Sequence, residues 1–110
     1  MKAATLAEQA PTLACLASLA TGHPGLPGAY ITLSQFTLNE LSVQLDSPSK
    51  VEAWREALGV AADLVFCDRI GGRPSLEFRA TVFGVTFHVY AAFDPATAPA
   101  VLDSVGGGQR

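Results

Sequence analysis

The chain reads as an α+β protein, a two-layer sandwich in which a five-stranded, mostly antiparallel sheet carries two helices on one face, in the order α-β-β-α-β-β-β. Three observations predict it. Apolar residues alternate with polar ones over residues 29–34, 41–46 and 76–91, the period of half-buried strands. The segment "SPSKVEAWREALG" between them carries helix start and stop signals. Within 76–91 the apolar parity switches once, at Phe83-Gly84, as the turn of a hairpin requires. A length of 110 residues suits one core without metal or disulfide staples. We place that domain at residues 1–92, with 93–110 as a C-terminal segment holding a short helix around Ala98 to Ser104 and a flexible Gly-rich tail.

The first helix falls in residues 3–20, where Leu6, Leu13, Leu16, Ala17 and Leu19 form a broad apolar stripe and Gly22 stands ready to end it. Pro11 either kinks one helix or opens a shorter one, so Pro11 to Ala20 is the secure part. The prolines and glycines of "GHPGLPG", residues 22–28, mark a loop. Two strands follow, with Ala29, Ile31 and Leu33 facing one way in the first and Leu41, Val43 and Leu45 inward in the second. Thr37 to Glu40 turns between them.

The second helix starts either at Ser47 with Pro48 in the first position, or at Ser49 with Glu52 completing a capping box, and Gly59 closes it. Val51, Trp54 and Leu58 form its apolar side, and Trp54 is the largest side chain available to the core. "ADLVFCD", residues 62–68, is nearly continuous in apolar residues and reads as a central strand. "RIGGRP" then reads as a turn; it lacks the lysine and helix start of a phosphate-binding loop.

A two-residue loop at Phe83-Gly84 pairs Val82 with Val85, Ala80 with Phe87, Phe78 with Val89 and Leu76 with Ala91, all on one face. Gly84 supplies a positive φ, whereas Phe83 is a poor residue for the first loop position. The same register sets Thr81 opposite Thr86, Arg79 opposite His88 and Glu77 opposite Tyr90 on the other face, with Glu77 diagonal to His88.

Chemistry-bearing patterns are sparse. His88 on a flat strand face is not the dry, concave setting of a nucleophilic triad, and no GxSxG is present. His23, His88, Cys15 and Cys67 lack metal-ligand spacing, and both cysteines are expected to be small buried apolar residues. No cofactor, metal or catalytic residue is therefore expected. Seven Lys and Arg against ten Asp and Glu give a net charge of −3, and the bases are scattered, which disfavours nucleic acid and anionic membrane. The N-terminal segment is interrupted by Glu8, Gln9 and Pro11 and does not read as an export signal, so a cytoplasmic location is expected.

The helix "VEAWREALG" after two alternating strands, with a last strand "GVTFHVYA", resembles a group of small uncharacterised actinobacterial proteins over roughly residues 26 to 92. The resemblance implies no activity, cofactor or site residue. What the residues themselves suggest is a contact surface. Charged residues make up 15% of the chain and mean hydropathy is +0.30, and the outer sheet face, with Tyr30, Thr32, Ser34, Ser42, Gln44, Thr81, Thr86, His88 and Tyr90, is polar but nearly uncharged. Such a face can be buried against a partner where its hydroxyls find hydrogen bonds. The expected function is a non-catalytic protein-interaction module, self-associating as a homodimer or binding another protein through Tyr30, Thr32, Gln44, Arg79, Thr86, His88 and Tyr90. A small-molecule binder or enzyme with a pocket near His88 is the alternative, and a nucleic-acid-associated regulator ranks third.

Overall fold

The structure, a computed structural model, describes residues 3–94. Helix α1 (Leu6–Gly22) is followed by β1 (Tyr30–Leu33), β2 (Glu40–Gln44), α2 (Pro48–Leu58), a 3-10 turn (Ala62–Leu64), β3 (Phe66–Ile70), β4 (Arg73–Val82) and β5 (Val85–Ala92). The five strands form one sheet in the order β1-β2-β5-β4-β3. Every neighbouring pair is antiparallel except β2 and β5, which run parallel at the centre. The expected α+β class and element order are thus the ones formed. The short helix and tail expected beyond Asp94 lie outside the described residues.

The first helix begins earlier than its secure sequence signal. Thr5 and Glu8 form a reciprocal capping box, with the Glu8 amide donating to Thr5 Oγ1 at 3.2 Å and the Thr5 amide donating to Glu8 Oε1 at 2.8 Å. These bonds satisfy donors that a helix start otherwise leaves open, and the helix continues through Pro11, which withholds a donor from the Ala7 carbonyl one turn back. For α2 the structure selects Ser47 as N-cap and Pro48 as first helical residue, and Gly59 closes it at φ 71°.

The core lies between the sheet's inner face and the helices. Leu41 pairs in register with Phe87 and Val43 with Val89, and all four are buried together with Phe78 from β4. Val51 and Trp54 from α2 cover this row, and Cys15, Leu16 and Leu19 from α1 pack against it. Truncating a buried phenylalanine such as Phe78 or Phe87 to alanine removes about 3–5 kcal/mol in a close-packed interior. The hairpin register is the one the parity switch predicts, from Val82↔Val85 to Leu76↔Ala91. Phe83 and Gly84 both take positive φ, 52° and 76°, the requirement of a two-residue turn that matches the strands' twist.

The segment 62–68 departs from expectation. Its apolar run divides between the 3-10 turn and β3, and β3 is an edge strand, not a central one. All five β3 residues are exposed, Cys67 among them, because the helices do not extend over that side of the sheet. Cys67 is therefore not the buried apolar residue its composition suggested, and Cys15 is half-buried. "RIGGRP" is the second two-residue turn, with Gly71 and Gly72 at φ 59° and 82° joining Ile70 to Arg73.

Candidate interaction surface

The sheet brings the seven residues singled out from the sequence onto one face. Tyr30, Gln44, Tyr90 and Glu77 lie side by side across four strands, and Thr32, Ser42, His88 and Arg79 form the next row. Glu40, Thr86 and Thr81 make the third. Two pairs of polar groups on this face bond across strands: Thr81 Oγ1 to Thr86 Oγ1 at 3.0 Å, and the Tyr90 hydroxyl to Gln44 Oε1 at 3.5 Å.

At its centre is an arrangement the sequence shows only in part. Glu77 is buried, its Oε1 lies 2.8 Å from His88 Nε2, and its Oε2 accepts from the Ser75 hydroxyl at 2.6 Å. A carboxylate taken out of water needs such partners, which accounts for His88 turning to Glu77 rather than to the exposed Arg79 across the strand. Tyr90 closes the group, its ring 5.0 Å from the imidazole. Serine, carboxylate and imidazole occur together, yet the hydroxyl bonds the acid and not the base, so no activated nucleophile results. The diagonal Glu77–His88 pair was legible from strand parity; the burial of Glu77 and Ser75 within the fold was not.

The helix side differs in character. Alpha-helix α1 runs 17 residues, yet Thr12 is its one fully buried residue, and Glu8 its one charged residue. Cys15, Leu16 and Leu19 pack inward. A second set, Leu6, Ala10, Leu13, Ala17 and Ala20, also recurs at three- and four-residue spacing and is exposed, Leu6 at 73% and Leu13 at 39%. The sequence signal was the breadth of the stripe: it covers two sides of the helix, and the sheet takes only one.

Beside this second stripe lies a trough of about 500 Å³ walled by Leu13, Ala17 and Ala20 of α1, by Leu26, and by Ile31 of β1, with Trp54 at its base. Its far wall is the 22–28 loop, held by the Trp54 indole, which donates to the Pro27 carbonyl at 2.9 Å. A smaller concavity of about 260 Å³ opens between α1 and α2 over the hairpin, with Cys15, His23, Leu58 and Phe83 among its walls. His88 lines neither of these.

Reactive groups are few. Burial pushes the Cys15 thiol pKa up, and its Sγ lies 3.6 Å from the Val82 carbonyl, so it is held in the neutral form. Among the described residues no three His, Cys, Asp or Glu side chains group to hold a metal ion, and no helix is long and apolar enough to cross a membrane. Comparison with protein-family models, curated proteins and solved structures finds no match to the chain.

Proposed function

We propose that the chain is a small cytoplasmic protein-interaction module that acts by association rather than catalysis, self-associating through its helix side. The observation that carries this is α1, a surface helix with apolar residues on two sides and one charge in 17 residues. A helix that is apolar well beyond its core-facing stripe is normally covered, and exposed apolar surface beside an apolar trough is what an association site offers. The polar sheet face ranks second for the same role, because its buried acid and the Thr81, Thr86 and Tyr90 hydroxyls already have partners within the fold.

Sedimentation of the purified protein across a concentration series tests the reading. Association that Leu13→Glu weakens and Thr86→Lys leaves unchanged supports it. Association lost in Thr86→Lys or Tyr90→Glu, with Leu13→Glu unaffected, moves the surface to the sheet. A second reading, an apolar small molecule in the trough, is favoured by the Trp54 floor. It predicts a change in Trp54 fluorescence on titration with an apolar ligand such as a medium-chain fatty acid.

A further inference from the structure

We infer that the partner of α1 is α1 of a second copy, packed antiparallel about a two-fold axis at Leu13; this rests on the self-association reading above. The exposed stripe reads Leu6, Ala10, Leu13, Ala17, Ala20. Leu6 and Ala20 stand equally far from Leu13 along the helix, seven residues or about 10 Å on either side. A two-fold at Leu13 therefore sets Leu13 against its own copy, Ala10 near Ala17 of the second copy and Leu6 against its Ala20. Each large side chain beyond the centre meets a small one, which lets the helices approach to about 8–10 Å.

The trough makes this surface self-complementary. Leu6 is the most exposed leucine of α1, at 73%, and Ala20 lies on the trough wall beside Pro24 and Leu26. In the antiparallel arrangement Leu6 of each copy enters the Ala20 end of the other's trough, a knob and a hole on one surface at the spacing the two-fold requires. The near absence of charge on α1 leaves no like-charge pair to oppose the contact, and antiparallel helices set their dipoles favourably.

The area is consistent with a stable contact. A 17-residue helix is about 25 Å long, so its exposed side supplies roughly half of the ~800 Å² per partner that a standard interface buries. The trough wall formed by Pro24, Leu26 and Ile31 continues the same surface beyond the helix. A contact through the sheet would leave this apolar surface in water.

Cysteine cross-linking in a Cys15→Ser, Cys67→Ser background tests the geometry, with circular dichroism to confirm that each variant folds. Under mild oxidation Leu13→Cys should form a covalent dimer at least tenfold faster than Ser18→Cys, which lies on the other flank of α1, and a mixture of Leu6→Cys and Ala20→Cys chains should cross-link to each other. Leu13→Glu should weaken dimerisation at least tenfold in sedimentation. Equal cross-linking at 13 and 18 in a protein that still dimerises would overturn the antiparallel α1 pairing while leaving self-association standing. A protein that stays monomeric at millimolar concentration overturns both.

Discussion

His88 Nε2 lies 2.8 Å from Oε1 of Glu77, although the strand register places Arg79 directly opposite His88. The choice follows burial. Glu77 is nearly inaccessible and Arg79 is exposed, so the carboxylate is the group that gains most from a partner within the fold. His88→Ala leaves Oε1 without that partner, and removing one half of a buried hydrogen bond costs about 1–3 kcal/mol. Urea denaturation should show a loss of that size. A change below about 0.5 kcal/mol, the scatter of ordinary surface substitutions, would mean that the contact does not contribute to the fold.

Phe83 is 91% exposed and sits at φ 52°, in the left-handed region that bulky residues avoid. The turn needs positive φ at both of its central positions, and asparagine followed by glycine meets that demand with less strain. Phe83→Asn should raise stability by up to about 1 kcal/mol, read as an increased Tm. An unchanged or lower Tm would show that the phenylalanine ring makes a compensating contact along the hairpin.

Much of the fold was legible because local signals and global packing agreed. The parity switch at Phe83-Gly84 specified a register of eight residue pairs, since a one-residue slip would send Phe78, Phe87 and Val89 to solvent. The misplacement of residues 62–68 has the opposite cause. A short apolar run is consistent with a buried strand, but whether a strand is central depends on which others pair beside it, and the parallel β2–β5 contact is made between segments more than forty residues apart. Nothing local to "ADLVFCD" reports that contact. The exposed apolar side of α1 was half visible: the breadth of the α1 stripe was plain in sequence, and only the placement of α1 on the sheet divides it into a packed side and an exposed one.

Trp54 joins the core to the 22–28 loop through one bond, from its indole to the Pro27 carbonyl at 2.9 Å. Trp54→Phe keeps most of the apolar packing and removes the donor, so a loss of about 1–2 kcal/mol is expected from the bond and the small void together. Hydrogen exchange should quicken at the Leu26 amide, which donates to the His23 carbonyl within that loop. Exchange unchanged at Leu26 would show that the loop is held by other contacts. As the one tryptophan of the chain, Trp54 is also the reporter of unfolding, and its emission should shift to longer wavelength as this 3% exposed ring enters water.

Acid should weaken the α2 region through two carboxylates. Hydrogen bonding to Arg55 lowers the Glu52 pKa, and hydrogen bonding to Lys50, 2.9 Å away, lowers that of Asp46. Each group is lowered in the folded state, so the unfolded chain binds the proton more readily, and the stabilisation is present in full above the ordinary carboxylate range of about pH 4–4.5. It declines as pH falls through the folded values and is gone once both states are protonated. Glu52→Gln and Asp46→Asn remove these contributions at neutral pH, where both variants should melt below the wild type by a small margin, since exposed pairs are screened. Arg55 also donates to the Val60 carbonyl, so it keeps a role in Glu52→Gln. As pH falls below about 4 the wild-type and variant melting curves should converge; a difference that stays constant from neutral to acid pH would assign the loss to packing rather than to the ionised carboxylates.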